Sequence, residues 1–450
     1  MNHFLDEIRA DQPFGLEAAH RALHILHEQI LRRSRDPQSD GPQIVGQQAL
    51  VRRLVISFLL GEHCLLEGLP GLVKTEVSKT LASMLGLVFR RIQFTPDMMP
   101  SDLISRERLK TSAQGVAVVW EPGPIFTNVL LADEINRAPS KVQSALLEAT
   151  EERQVTDSNL RSSIRIRPRH DVDEELLLQS FPQGFFGRSL EKQGMNNLQH
   201  FMVLATMNPI EQEGVFPLSE AQLDRFAFKV IVEYPRGRHL KEISRHAFMH
   251  SLEKVEHDPE QHVKTLYFLS QLREKLLGET SLNAWLRNKN QLRLGCQYLI
   301  EFSHLGRPSR AGEEDASSVG VQATLKHLEA QARLTEWRKS GSAIVKNKVE
   351  QLLDWNRSAS YPEVLSGASP RGLLKLIRAA HAEAFLNGSF LGEEIVPTWN
   401  DVRVVAGDIL RHRIRVPGFS MNETSVDEFL RALIDWIDPA SWDGLLDEPR

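Results

Sequence analysis

The segment Glu67-Gly68-Leu69-Pro70-Gly71-Leu72-Val73-Lys74-Thr75 places a lysine and a hydroxyl behind two glycines. It follows the apolar run Cys64–Leu66 and opens a helical pattern over Thr75–Leu85, the context in which a glycine-rich loop cradles phosphate. Gly68 and Gly71 let backbone N–H groups approach phosphate oxygens, and a helix amino terminus adds a favourable field. Lys74 can reach the β- and γ-phosphates, and the Thr75 hydroxyl can ligate Mg²⁺. Pro70, Leu72, Val73 and Glu76 complete the cofactor-binding stretch. Val73 stands where the general pattern has glycine, and a β-branched residue tolerates only ordinary backbone geometry there. A glycine-containing strand–helix turn without nucleotide is the competing reading of this segment taken alone.

A second constellation is Asn128-Val129-Leu130-Leu131-Ala132-Asp133-Glu134. An apolar run ending in two carboxylates reads as a buried strand that delivers acids to the carboxyl edge of a sheet, where open α/β folds bind ligands. Asp133 would hold Mg²⁺ through its water shell, and Glu134 would orient and polarise the water that attacks the γ-phosphate. An acidic helix cap is the bland alternative. Together the two segments describe one magnesium–triphosphate site, with ATP and Mg²⁺ as its cofactors. A third segment, Leu204-Ala205-Thr206-Met207-Asn208-Pro209, puts an amide at a strand end. Asn208 could hydrogen-bond both the γ-phosphate and the lytic water, against the rival reading of a simple Asn-Pro turn.

The elements needed to position these groups are legible as alternating patterns. Strands are expected at Cys64–Glu67, Phe89–Phe94, Val116–Trp120, Val129–Ala132, Met202–Thr206 and Phe228–Val232, with helices such as Thr75–Leu85 and Lys141–Glu151 between them. That alternation predicts an α/β layer with a mainly parallel central sheet. Upstream, Leu16, Ala19, Leu23, Leu26 and Ile30 recur at helical spacing, and a second helix is expected over Gln47–Leu60. After Tyr234-Pro235 the pattern turns helical, with candidates at His239–Leu252, Pro259–Leu277, Trp285–Leu299, Leu325–Trp337 and Phe429–Trp436, and an exposed loop at Gly306–Gly320. A late helix is capped by Ser369, has Pro370 in its first turn, carries an apolar stripe of Leu373, Leu374, Ile377, Ala380 and Ala384, and stops at Asn387-Gly388. The expected division is an amino-terminal helical extension (1–41), a nucleotide-binding core (42–235, with an insertion at about 160–199) and a helical lid (236–450, enlarged at about 252–345).

Composition restricts the function classes. The 450 residues carry a formal charge of −5, with 41% apolar and 25% charged residues, which suits a soluble chain of two or three domains and argues against one dominated by nucleic-acid binding. Only Cys64 and Cys296 are present, too few for a disulfide framework or a cysteine zinc site. No apolar run approaches the ~18 residues of a spanning helix, and the first ten residues lack a signal-peptide core. The expected location is the cytoplasm, with no integral membrane segment.

These segments resemble the MoxR family of AAA+ ATPases, in the clade with a helical insert before the Walker B strand. The resemblance is carried by Ile44-Val45-Gly46-Gln47, GLPGLVKT at 68–75, RIQFTPDMMPSDL at 91–103, EPGPIFTNVLLADEINRAPSKVQSALLEATEERQVT at 121–156, ATMNPIEQEGVFPLSEAQLDRFAFKV at 205–230 and GASPRGLLKLIRAA at 367–380. It implies a P-loop NTPase core followed by an all-helical lid. It also implies that Asn208 is the sensor 1 residue, that Arg371 is the sensor 2 arginine reaching the nucleotide from the lid, and that Arg225 is the finger reaching a neighbour's γ-phosphate. Arg137 could serve the same subunit contact. The guanidinium chemistry suits these roles, since it pairs with phosphate through parallel hydrogen bonds. A surface salt bridge is the alternative for either Arg225 or Arg371. The resemblance further implies a homo-oligomeric, hexameric ring acting on a protein client, with a separate von Willebrand factor type A domain protein as the partner.

The sequence departs from the family pattern at Val73, over Leu160–Gln199 and over residues 252–345. In the first long segment, Ser163-Ile164-Arg165-Ile166-Arg167 alternates like a hairpin strand, and the bland reading is a solvated charged edge. The functional expectation is Mg²⁺-dependent ATP hydrolysis coupled to remodelling, assembly or activation of another protein. The alternatives are an ATP-binding scaffold with little turnover, which Val73 keeps open, and a nucleic-acid motor, which lacks a visible DNA-binding module.

Overall fold

The computed structural model describes residues 15–33, 48–68, 77–78, 80–82, 85–112, 115–157, 162–166, 200–208, 215–232, 259–277, 290–303, 307–308, 332–336, 338–339, 346–347, 349–350, 363–364, 367–414 and 423–437. Pro70, Gly71, Leu72, Val73, Lys74, Thr75 and Glu76 lie outside the described residues, as do the helix expected at His239–Leu252 and most of the 160–199 insertion. The chain divides into two compact units, residues 1–275 and 276–450.

The first unit begins with α1 (Leu16–Arg33) and α2 (Gln48–Leu60). The stripe expected on α1 is its buried face: Leu16, Ala19, Leu23, Leu26 and Ile30 are each at most 2% exposed, and α1 packs on α2. Five parallel strands follow in the spatial order β2 (Phe89–Gln93), β5 (Val129–Asp133), β8 (Met202–Met207), β1 (Cys64–Glu67) and β9 (Phe228–Ile231). β1 is buried throughout, and β5 and β8 at all but their last residue, the signature of a parallel sheet covered on both faces. Between β1 and β2, residues 77–78 and 80–82 are helical, as the Thr75–Leu85 pattern implies.

Period-two alternation sorts each strand's side chains onto two faces. Leu65, Leu130, Ala132, Val203 and Ala205 share one face and form a core with Val142, Leu146 and Leu147 of α4 (Ser140–Glu152). Val116–Trp120 belongs to a hairpin apart from this sheet: β4 (Gly115–Pro122) pairs antiparallel with β3 (Ser105–Ser112), directly after the short helix α3 (Pro100–Ile104). β3 reads Ser-Arg-Glu-Arg-Leu-Lys-Thr-Ser, which carries too little apolar alternation to announce a strand. The alternating arginine segment does form one, β7 (Ser162–Arg165), in a hairpin with β6 (Gln154–Asp157). α5 (Glu220–Leu223) precedes β9, and α6 (Pro259–Leu277) coincides with the expected helix.

Buried polar groups staple this unit together. Val203 N–H donates to Nδ1 of His63 at 3.0 Å, so the imidazole proton sits on Nε2 and points to the Thr150 carbonyl at 2.9 Å. Arg273 of α6 donates to the Phe58 and Leu59 carbonyls at the end of α2, where a helix leaves carbonyls without partners. Burial, with Arg153 nearby, pulls the pKa of this guanidinium down to about 9. Lys229 of β9 sits 2.7 Å from Glu67 of β1, both side chains at most 5% exposed.

The second unit is helical: α7 (Asn290–Phe302), α8 (Pro370–Leu386), α9 (Trp399–Leu410) and α10 (Glu423–Ile437). Two-residue ladders accompany them, β10 (Arg307–Pro308) with β11 (Glu363–Val364) and β12 (Phe390–Leu391) with β13 (Glu394–Ile395). Ser369 caps α8 by accepting Gly372 N–H, and Gly388 follows its end with φ +71°. Leu374, expected in the apolar stripe, is instead 53% exposed. It lies on the flank of a buried face formed by Leu376, Ile377, Ala380 and Ala384, at the helix's first turn. Phe302 of α7 meets Trp436 of α10 edge-on, with centroids 5.4 Å apart.

The Glu67–Lys229 pair yields a stability test. Removing one partner leaves a buried charge unmatched, so Lys229→Met is expected to cost about 3–5 kcal/mol. The double variant Glu67→Gln/Lys229→Met should regain part of that loss, and urea-unfolding midpoints of the three proteins would measure it.

Candidate functional site

The chain leaves β1 toward β2 at one edge of the sheet, and leaves β8 toward β9 at the other. Adjacent strands whose connections run in opposite directions form a topological switch, and open parallel sheets bind ligands outside the carboxyl ends of such strands. Gly68 ends β1 at this place. Its N–H donates to the Met207 carbonyl at 3.3 Å, and a Cβ on it would fall 2.7 Å from the Val232 carbonyl oxygen. Glycine is therefore demanded here by the close approach of neighbouring strand exits, and its own N–H is already engaged within the sheet.

Asp133 ends β5, 16% exposed at its side chain. Thr206 of β8 donates to its Oδ1 at 2.5 Å. Arg91 of β2 donates to its Oδ2 through Nε at 3.1 Å and Nη2 at 2.7 Å. The register explains this meeting: Gln93 pairs with Asp133 and Leu131 with Leu204, so Arg91, Asp133 and Thr206 fall on the same face of three adjacent strands. Glu134 follows in left-handed backbone conformation, φ 57° and ψ 50°, which costs a non-glycine residue about 1–2 kcal/mol. The turn lifts Glu134 out of the strand, its N–H donates to Thr206 Oγ1 at 3.0 Å, and its carboxylate pairs with Arg137 Nε at 3.2 Å.

Asn208 lies just past β8, buried at 9% exposure, and its carbonyl accepts from Asn136 Nδ2 at 3.5 Å. The same turn is clasped to the segment that leads into α5. Phe216 N–H donates to the Asn136 carbonyl at 2.6 Å, and Gln143 Nε2 of α4 donates to the Phe216 carbonyl at 2.9 Å. Arg225, two residues past α5, donates to Glu151 of α4 at 3.0 Å in a partly exposed pair. Such surface pairs contribute about 0–1 kcal/mol. In the second unit Arg371 is exposed in the first turn of α8. A cation at a helix amino terminus opposes the helix dipole, so helix formation alone does not account for it.

Asp133, Glu134, Asn208 and Gly68 thus gather at one sheet edge, with Arg225 on the adjoining segment. Lys74, Thr75 and the remaining loop residues lie outside the described residues. Arg91 and Thr206 were not singled out as functional by the motifs. The two-residue spacing of Thr206 from Asn208, at the end of an apolar strand, is a local signal for Thr206, and none of this kind marks Arg91.

Known proteins share the fold described above. A model described as "ATPase family associated with various cellular activities (AAA)" matches residues 63–167 and 188–228, and an AAA lid domain matches residues 357–433. The chaperone MoxR1 of Mycobacterium tuberculosis is 39% identical over 231 residues, 51% of this chain and 50% of that protein, so the match spans half of MoxR1. The uncharacterized protein YeaC of Bacillus subtilis is 30% identical over 374 residues, 82% of this chain and 83% of YeaC. The protein MoxR of Methylorubrum extorquens is 26% identical over 403 residues, 88% of this chain and 91% of its own length. A crystal structure of a candidate ATPase from Cytophaga hutchinsonii superposes with TM-score 0.57 and 28% identity, covering 93% of this chain and 96% of that one. With the α/β core, the helical unit and the carboxylate pair at the sheet's switch point, the chain belongs to the MoxR family of AAA+ ATPases.

Proposed function

We propose that this chain hydrolyses ATP to ADP and phosphate with Mg²⁺, and couples the reaction to remodelling or activation of a protein partner. The observation that carries the reading is the delivery of Asp133 and Glu134 to the carboxyl edge of β5, beside Asn208 just past β8 and the end of β1 that leads into Gly71-Leu72-Val73-Lys74-Thr75. Lys74 and the loop amides grip the phosphates, and Asn208 holds the γ-phosphate and the attacking water. Glu134 orients that water and polarises it.

Thr75 and Asp133 are the residues that would hold magnesium. Asp133 fits the task, because a single carboxylate together with phosphate oxygens and water is the usual protein contribution to a magnesium site, and its two oxygens are fixed by Thr206 and Arg91. Bound magnesium would offset charge on the phosphate oxygens.

In this reading Arg225 enters a neighbouring subunit's site and Arg371 serves its own subunit's nucleotide from the lid. That requirement favours a ring, with six subunits as the proposed number. The partial exposure of the Arg225–Glu151 pair is compatible with it, since an ion pair of this kind contributes only about 0–1 kcal/mol. A chaperone-like action is supported by the name of the MoxR1 relative. A von Willebrand factor type A domain protein is the proposed client class, and the loss or gain of γ-phosphate contacts would drive the lid's movement.

Purified protein should turn over ATP with Mg²⁺, whereas Glu134→Gln should keep nucleotide affinity and lose turnover; equal and negligible turnover in the two assembled proteins would refute the catalytic assignment and favour a scaffold. Arg225→Ala should lower kcat by about 10³-fold or more with little change in urea midpoint. Mixing Arg225→Ala with Glu134→Gln subunits should then restore activity, since about a quarter of head-to-tail interfaces in a random mixture join an intact Glu134 to an intact Arg225. Two inactive proteins whose mixtures stay inactive, though shown to co-assemble, would rule out supply by a neighbour.

A further inference from the structure

We infer that Thr206 is the residue that positions both acids of the site, linking the Glu134 backbone amide to the Asp133 carboxylate in one directional hydrogen-bond chain. The inference rests on the reading of Asp133 and Glu134 given above. A backbone N–H can only donate, so Glu134 N–H gives its proton to Thr206 Oγ1 at 3.0 Å. The hydroxyl's single proton is then directed to Asp133 Oδ1 at 2.5 Å. The chain therefore runs from the Glu134 amide to Thr206 to Asp133, whose Oδ1 is the terminal acceptor.

Three features make this more than a satisfied buried hydroxyl. Thr206 is 2% exposed, so water cannot readily replace either bond. Its β-branched side chain has few χ1 rotamers and stands on a strand flanked by β5 and β1, where Thr206 pairs with Leu66. Its acceptor bond holds the amide of Glu134, the residue at which the chain leaves β5 in left-handed backbone conformation. Without that bond, the turn loses a contact that opposes the strain of the conformation. Arg91 holds the other oxygen of Asp133 from β2, so the hydroxyl also decides which carboxylate oxygen remains oriented toward β8. Thr206 touches neither phosphate nor water in this account and acts through the two acids.

The test compares Thr206→Val, which keeps shape and removes both bonds, with Thr206→Ser, which keeps the hydroxyl. Two lost bonds of about 1 kcal/mol each correspond to a fall in kcat of roughly 10- to 100-fold for the valine protein. Its affinity for a fluorescent ATP analogue should stay within about threefold, because such a change is under 1 kcal/mol. Hydrogen exchange at the Glu134 amide should accelerate by about tenfold or more in the valine protein as its acceptor is lost, and the serine protein should recover both protection and most of the turnover. Should the valine protein not fold, Thr206→Ala is measured against Thr206→Ser by the same criteria. Unchanged kcat and exchange in a folded valine or alanine protein would overturn the inference. So would a serine protein as impaired as either, or a loss of nucleotide affinity and urea midpoint in step with kcat. Failure of the underlying reading looks different: wild-type protein without Mg²⁺-dependent turnover, or Glu134→Gln turning over like wild type.

Discussion

Everything at the site depends on β8 lying between β5 and β1 as a buried parallel strand. That placement brings the ends of strands more than sixty residues apart in the chain to one edge, and its register sets Asp133 beside Thr206 and Gly68 beside Met207. Burial on both faces makes the register hard to shift, since a one-residue slip would exchange the two faces of side chains. In β8 a slip would turn Leu204 and Thr206 toward the α4 core and remove Val203 and Ala205 from it. The polar chemistry is therefore anchored by an apolar constraint.

The polar groups in turn fix local orientations that apolar packing leaves open. His63 links β8 to the end of α4 through a defined tautomer. Gln143 and Asn136 clasp the turn after Glu134 to the segment around Phe216, which continues into the residues bearing Arg225. A displacement of either turn is thus felt by the other through short hydrogen bonds rather than through a long lever. Glu134 pairs with Arg137, three residues on, so the acid is engaged within its own turn as well as through its amide.

Charges are handled differently at the two ends of the sheet. At the start of β1 and β8, arginine side chains donate to carbonyls at and just past the end of α2: Arg273 at Phe58 and Leu59, and Arg153 at Gly61. At the carboxyl edge, Arg91 faces Asp133 while Lys229 neutralises Glu67 on the opposite face. Both buried lysine and buried glutamate are tolerable because each supplies the other's counter-charge.

The sequence alone determined the elements whose reasons are local. Helical spacing marked the buried face of α1, a serine and a proline marked the start of α8, and apolar runs ending in Asp133-Glu134 and Thr206-Met207-Asn208 marked β5 and β8. The order of glycine, lysine, hydroxyl and paired acids carried the chemistry and the family. Strand order, the separation of the β3–β4 hairpin from the sheet, the exposure of Leu374, the Glu67–Lys229 pair and the meeting of Arg91 and Thr206 on Asp133 were decided by the tertiary structure. Local propensity says whether a segment is extended, but which strand lies beside it, and in which register, is set by burying both faces of the sheet at once. Arg91, 42 residues before Asp133, and Thr206, 73 after it, become its neighbours only when that packing is complete.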